Sequence, residues 1–282
     1  MVKDPAILKN SKDPRELVRM AKLYAASDEP ADQAVLGGHL GTTEFLDRLD
    51  SPMMYKAAQP HQLRVAGIIR VLMEKQTPAP RQTLVDLTDS KEFQSYDQCV
   101  PLLIRALAAD RPASARTIAH WTKHSDPESV YSDNVVEAIF LNRSRPALDL
   151  FERMMNDARH EDGYKYYWLR TCLLQQRNDP EVLKCCERMV IDSSIDPAWH
   201  EPVLEALFDF DPTWYLTCRK PRPPLRVLAG DEAKDSMERL AKHGLGRKDY
   251  VNTELPLRMK LALKEIGRDQ DDAPADPNAG TP

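Results

Sequence analysis

The sequence predicts an all-α fold in which antiparallel pairs of short helices stack side by side as an α-solenoid. Five prolines recur at intervals of 32 to 34 residues, a period typical of stacked helical units. Apolar residues between them follow the spacing of amphipathic helices, whereas strand-like alternation of β-branched residues is rare. We therefore expect about six to eight helix pairs in a right-handed superhelix. The prolines are Pro80, Pro112, Pro146, Pro180 and Pro212.

The N-terminal part is predicted to begin with a loose lead-in over residues 1–12, followed by a helix over residues 14–26. Two further helical segments, 32–40 and 43–50, are separated by a glycine cluster. The cluster lacks the spacing of a phosphate-binding loop, so we interpret it as a break between helices.

Residues 60–218 carry the clearest helical pattern and predict five helix pairs. Helices of about 12 residues are marginal alone, so each must bury its apolar face against its neighbours. The predicted pairs are 61–75 with a partner from Pro80, 100–110 with 112–124, 134–141 with 146–157, 164–176 with 180–191, and 198–208 with 212–218.

Four Asp-Pro pairs predict helix starts in this region. Proline at the first helical position loses no hydrogen bond, and the preceding aspartate can accept from the free N–H groups of the first turn. The residue before a proline is also displaced from helical geometry, so each pair ends the segment before it. The pairs are Asp126-Pro127, Asp179-Pro180, Asp196-Pro197 and Asp211-Pro212.

The C-terminal part changes in composition after the last predicted pair. Residues 219–226, RKPRPPLR, predict a stiff, polyproline-like connector, and two C-terminal helices are predicted within residues 231–266. Residues 268–282 are acidic and rich in proline, which predicts a disordered tail. We therefore expect a single α-helical repeat domain over residues 1–267.

Residues 102–121, LLIRALAADRPASARTIAHW, resemble a HEAT repeat. They have a leucine-rich first helix, Asp110 in the turn, and Arg116 and Ala119 in the second helix. The resemblance covers residues 60–218, although later pairs lack this aspartate and arginine in register. The period is nearer to that of tetratricopeptide repeats, whose W-x₂-L-G-x₂-Y pattern is absent, so that family is the second choice. Either resemblance implies stacked helix pairs that bind a protein or peptide on a concave face.

Composition excludes several classes of protein. The chain opens without the apolar run of a secretory signal, and no stretch reaches the about 18 to 20 apolar residues of a membrane span. Its five cysteines include no C-x-x-C pair, and their odd number favours free thiols in a reducing compartment. We therefore expect a cytoplasmic protein without membrane association.

The net charge of −5 is unevenly distributed. Residues 1–218 carry −7, residues 219–268 carry +6 and residues 269–282 carry −4. The negative repeats argue against a nucleic-acid partner, because phosphate contacts need lysine and arginine. Basic residues near the C-terminus have three possible roles. They could contact phosphates or an acidic partner, form a proline-rich ligand for another protein, or belong to a solvated linker. The candidate residues of this basic patch are Arg219, Lys220, Arg222, Arg226, Arg247 and Lys248.

The sequence shows no catalytic constellation, metal site or cofactor motif. His120 and His124 lie one helical turn apart, but no H-E-x-x-H zinc motif is present, and we interpret them as partly exposed histidines at a helix end. Cys185 and Cys186 point about 100° apart on a helix, so we expect one of them in the core, as a small apolar residue.

An aromatic cluster in the fourth predicted pair is the strongest candidate for a binding surface. Tyrosine, tryptophan and arginine dominate binding hot spots, and five such groups within seven residues cannot all be core. The buried stripe of this helix is expected to contain Tyr166, Leu169 and Leu173, with other members of the cluster to one side. The candidate partner-binding residues are Tyr164, Tyr167, Trp168 and Arg170.

These observations predict a non-enzymatic scaffold that presents a helical-repeat surface to a protein or peptide. An accessory or maturation subunit of a partner enzyme is an alternative that the sequence does not separate from it. The HEAT resemblance also allows a DNA alkylation-repair glycosylase or another nucleic-acid binder, against which the negative charge of the repeats argues.

Overall fold

The computed structural model describes residues 2–50, 61–75, 77–96, 99–208 and 230–268. Within these ranges every regular element is helical and no strand is present, which confirms the prediction of an all-α protein. In the same ranges no helix is both long and apolar enough to cross a membrane. The chain divides into two compact units, Met1–Leu150 and Phe151–Pro282.

The first unit is built from short helices. They are α1 (Pro5–Asn10), α2 (Pro14–Ala25), α3 (Pro30–Leu40), α4 (Thr43–Asp50), α5 (His61–Glu74), α6 (Pro78–Asp86), α7 (Lys91–Ser95), α8 (Cys99–Ala106), α9 (Ala115–His124), α10 (Ser132–Asn142) and the first half of α11 (Arg145–Asn156). Single 3₁₀ turns, Leu87–Asp89 and Leu107–Ala109, extend α6 and α8. The helices predicted in this part of the sequence are therefore present, and the structure adds α1 and α7.

The second unit continues from α11. Its further helices are α12 (Asp162–Trp168), α13 (Leu174–Gln176), α14 (Pro180–Val190), α15 (His200–Phe208), α16 (Gly230–Leu245) and α17 (Leu255–Glu265). A π-helical turn, Leu169–Leu173, joins α12 to α13, so residues 162–176 form one continuous helical run. The predicted helix over 212–218 and the predicted connector over 219–226 lie outside the described residues.

Aspartate followed by proline starts a helix at two of the predicted places. The Asp179 carboxylate accepts from the backbone N–H groups of Glu181 and Val182, at 3.0 and 3.3 Å, and caps α14. The Asp196 carboxylate accepts from the N–H of Ala198 at 2.9 Å and begins the 3₁₀ turn that leads into α15. The pair Asp211-Pro212 lies outside the described residues.

The helix start predicted at Asp126-Pro127 is wrong. The Asp126 carboxylate accepts from the N–H of Glu128 at 3.1 Å, and its carbonyl accepts from the Ser132 hydroxyl at 3.1 Å. These bonds close a turn, and α10 begins only at its end. The same aspartate that caps a helix elsewhere therefore stabilises a local turn here.

Two other boundaries also differ from the prediction because a side-chain cap determines them. Ser114 Oγ accepts from the N–H of Thr117 at 3.3 Å, so α9 starts after Ser114 rather than at Pro112. The predicted lead-in over residues 1–12 contains α1, which begins at a proline and is capped by the Asp4 carboxylate.

The helices of the first unit pack in chain order. α2 packs against α5, α5 against α8, and α8 against α10, while α3 packs against both α2 and α6. A polar contact also joins the end of α10 to the turn after α8, where Asn142 Nδ2 donates to the carbonyl of Asp110 at 2.8 Å. The core of this unit includes the fully buried residues Leu17, Leu36, Leu72, Leu103 and Val136.

The second unit is held together by four helices. α14 packs against α16, α16 against α17, and α17 against α15. Gly244 of α16 leaves room for the Met259 side chain of α17, because a Cβ at Gly244 would overlap its Cε and Sδ atoms. The π-helical turn packs against α15, and the buried Arg177 donates from Nη1 to the carbonyl of Leu207 at 2.9 Å. These contacts fix the helical run that carries the aromatic cluster.

Candidate binding surfaces

Three tyrosines of α12 form an exposed surface on the second unit, which we call the tyrosine surface. Their exposed fractions are 52% for Tyr164, 43% for Tyr166 and 52% for Tyr167. Tyr164 and Tyr167 are thus exposed, as a partner-binding role requires. The prediction that Tyr166 lies in the core is wrong.

Trp168 lies in the core, with 1% of its surface exposed, so it is wrong as a surface candidate. Its ring lies against that of His160, with centroids 4.9 Å apart and planes at 77°. The buried stripe runs through Lys165, Trp168 and Leu169 instead of through Tyr166. Tryptophan buries a larger apolar ring than tyrosine, whose hydroxyl needs a partner, and lysine can bury its alkyl stem. These differences explain the altered stripe.

Trp199, in the 3₁₀ turn Pro197–Trp199 that precedes α15, contacts side chains of α12. Its ring centroid lies 5.0 Å from that of Tyr166, with the planes tilted by 59°. Lys165 Nζ lies 5.4 Å from the centroid of the same ring, which is within the range of a cation–π contact. These contacts fix α12, while Tyr164 and Tyr167 remain open to solvent.

Charged groups near Tyr166 make the tyrosine surface predominantly acidic. Burial is the main cause that raises the pKa of the Tyr166 hydroxyl above its ordinary value. Nearby charges act as well; those that raise this pKa are on Glu205, Asp162 and Glu201, and the one that lowers it is on Arg170. These three carboxylates outnumber the Arg170 guanidinium and the nearby Lys165 ammonium, and the excess of negative charge favours a cationic ligand.

Two of these carboxylates are held in place by the loop before α17. Glu201 accepts from the N–H of Val251 at 3.0 Å, and Glu205 accepts from Asn252 Nδ2 at 2.6 Å. Arg170 Nη2 lies 3.8 Å from a Glu205 oxygen. The predicted candidate Arg170 is therefore directed at an acidic group of its own unit.

The predicted basic patch falls mainly outside the described residues, which do not include Arg219, Lys220, Arg222 or Arg226. Arg247 Nε donates to the Asp249 carboxylate at 2.8 Å, and its guanidinium lies 5.5 Å from the Tyr250 ring centroid. Lys248 is exposed. The charge of Arg247 is thus balanced within its own loop.

The first unit contains a groove that sequence reasoning missed. It is bounded by α7, by α9 and by the 3₁₀ turn Leu87–Asp89, and we call it the α7–α9 groove. Its volume is about 570 Å³. Its lining includes the charged or polar side chains of Asp89, Lys91, Gln94, Arg116, His120 and Lys123, together with Thr88 and Ser95. Arg116 forms ion pairs with Asp86, at 2.8 Å, and with Asp89.

His120 is buried at the wall of this groove, with 6% of its surface exposed, rather than partly exposed as predicted. Its Nε2 has no hydrogen-bond partner among the described residues. The ring centroid lies 4.7 Å from that of His124. Burial, and then the neighbouring His124 and Lys123, lowers the pKa of His120 to about 4, so the imidazole is neutral at pH 7.

A second groove, of about 470 Å³, lies between α3 and α6. Gly37 and Gly38 line it within α3, and Gly41 lines it at the end of that helix. Gln33 Nε2 donates to the carbonyls of Tyr24 and Ser27, at 2.9 and 2.6 Å. The polar groups of this groove are thus used within the fold, and it offers less to a ligand than the α7–α9 groove.

The two adjacent cysteines of α14 are both buried, so the expectation that one points to the core understates their burial. Burial raises the pKa of both the Cys185 and the Cys186 thiol well above the ordinary value, which disfavours the reactive thiolate. Across the described ranges, no group of three or more His, Cys, Asp or Glu side chains is placed to hold a metal ion.

No protein-family model, curated protein or solved structure matches this chain. The features of the described residues that bear on function are the tyrosine surface and the two grooves.

Proposed function

We propose that the protein is a non-enzymatic interaction module, a HEAT-like helical-repeat scaffold that binds a segment of a protein partner. The packing of α2, α5, α8 and α10 in chain order, with α3 and α6 alongside, supports stacked helix pairs in the first unit. Each such helix contacts its neighbours in the series, which is the principle of a solenoid.

The exposure of the tyrosine surface is the main support for the proposed binding function. Exposed tyrosine rings supply large contact areas at low conformational-entropy cost, and they are enriched where proteins bind each other. Tyr164 and Tyr167 are about half exposed on a helix that is fixed from inside by Trp168. A rigid helix with open rings is suited to capturing a partner.

The charges around the tyrosine surface determine which segment it takes. Glu201 and Glu205 are held near Tyr166 by backbone and side-chain hydrogen bonds. Tyrosine faces and carboxylates both attract lysine and arginine side chains. The partner segment is therefore basic.

The test compares peptide binding by wild type and by two variants of the full chain. Tyr164→Ala/Tyr167→Ala removes the two open rings, and Leu257→Ala/Leu261→Ala removes two exposed leucines of α17 as a matched control. Binding of a fluorescent peptide with alternating arginine and alanine is measured by anisotropy. We expect the tyrosine variant to bind about tenfold more weakly than wild type, because hot-spot aromatics dominate binding energy.

The control variant is expected to bind like wild type, and circular dichroism should show unchanged helix content for both. Unchanged affinity in the tyrosine variant, or no binding of the basic peptide to wild type, removes the tyrosine surface as the binding site.

A further inference from the structure

The α7–α9 groove carries positive charge within a unit that belongs to the acidic part of the sequence. Lys91, Arg116 and Lys123 line it, against the single lining carboxylate of Asp89. Arg116 is already engaged by Asp86 and Asp89, and the hydrogen bond to Asp86 is the main cause that raises its pKa. The two lysines therefore supply the charge that the groove offers to a ligand.

Both lysines are exposed and available. No carboxylate of the described residues forms an ion pair with Lys91 or Lys123. The nearest polar contact of Lys123 is with Gln94 Oε1, 3.4 Å from its Nζ. An ammonium group without a carboxylate partner can pair with an incoming anion without breaking an existing ion pair.

His120 lines the same groove and marks its position in the core. It is buried, and its Nε2 has no hydrogen-bond partner in the described part of the chain. The groove thus places two available cations beside a wall that contains a buried imidazole.

The arrangement suits separate carboxylates better than a phosphate. A phosphoryl dianion is best matched by the fork of an arginine, and both arms of Arg116 are committed to Asp86 and Asp89. Lysines are point charges on flexible stems that pair well with single carboxylates.

We propose that the α7–α9 groove binds an acidic peptide segment, whose carboxylates pair with Lys91 and Lys123 beside the wall formed by His120. A groove of about 570 Å³ holds a few residues of such a segment. This site lies on the first unit, is opposite in charge to the tyrosine surface, and does not depend on it.

The first experiment measures binding of a fluorescent peptide with alternating glutamate and alanine to the full chain. We expect binding that weakens as salt is raised, and no binding of the same peptide with glutamine in place of glutamate. Lys91→Gln/Lys123→Gln should weaken binding about tenfold, because the charges that attract the peptide are removed. Lys9→Gln/Lys12→Gln makes the same change of charge at exposed lysines elsewhere in the first unit and should leave the affinity within twofold of wild type.

Nuclear magnetic resonance provides the second measurement. The glutamate peptide should shift the imidazole resonances of His120 at constant pH, and these shifts should be lost in Lys91→Gln/Lys123→Gln. Wild-type affinity in that variant, equal losses in both lysine variants, or tighter binding of a phosphoserine peptide than of the glutamate peptide would each overturn the proposal.

Discussion

At the scale of single residues, one buried imidazole makes the stability of the first unit depend on pH. The folded pKa of His120 is about 4, lowered from 6.5 mainly by burial and further by His124 and Lys123. Between these two values the unfolded chain binds a proton that the folded chain does not bind. The free energy of unfolding therefore falls as the pH falls from 6.5 to 4, by at most about 3 kcal/mol.

Urea unfolding followed by circular dichroism between pH 7.5 and pH 4 measures this dependence. His120→Gln keeps a polar side chain but removes the titrating group, so its free energy of unfolding should vary less with pH than that of wild type. If the variant shows the wild-type slope, other groups cause the acid sensitivity.

Sequence reasoning at this scale predicted that the aromatic cluster could not all be buried, but it did not identify which ring goes inside. The helical period allows a stripe through Tyr166 or one through Lys165 and Trp168, because Leu169 and Leu173 are buried in either arrangement. The choice depends on tertiary partners, here the rings of His160 and Trp199. Trp199 lies far along the chain from α12, so the sequence of α12 alone gives no signal of that contact.

At the scale of helices, the cap at α14 gives a direct test of how the sequence sets boundaries. Asp179→Ala removes an acceptor for two backbone N–H groups and should lower the free energy of unfolding by about 1 kcal/mol. Asp179→Asn retains a side-chain oxygen that can accept the same bonds and should be nearly neutral.

Hydrogen exchange of the first turn of α14 locates the effect. We expect faster exchange there in Asp179→Ala than in Asp179→Asn, with little change in α12. Equal stability of the two variants would show that Pro180 and the packing of α14 against α16, rather than the cap, define the helix start.

The boundaries and the groove show why sequence reasoning succeeded for some elements and failed for others. Long amphipathic helices such as α2, α5 and α11 were predicted because many apolar residues repeat their pattern. α7 has five residues, too few for a periodic signal, so the groove that it lines was missed. Asp126 and Asp179 stand before prolines alike, and only the bonds that each forms distinguish a turn from a cap.

At the scale of the whole molecule, the proline period predicts repeated helix pairs but contains no information on where the chain divides. The structure divides at Leu150, within α11, a helix that the sequence shows as uninterrupted. Division depends on how many contacts cross a point in the chain, which is a property of tertiary packing. The expected single domain over residues 1–267 stays a prediction, and the cooperativity of unfolding tests it.

Paired core substitutions measure that cooperativity. Leu103 of α8 is fully buried, and α8 packs against α5 and α10; Leu183 of α14 is fully buried, and α14 packs against α16. Each Leu→Ala change should lower the free energy of unfolding by about 2–5 kcal/mol through lost burial and a cavity. Since stability in stacked helices is transmitted mainly to neighbours, Leu103→Ala should speed hydrogen exchange in α5 and α10, and Leu183→Ala should speed it in α16. Equal acceleration across both units by either substitution would instead show that residues 1–267 unfold as one cooperative domain.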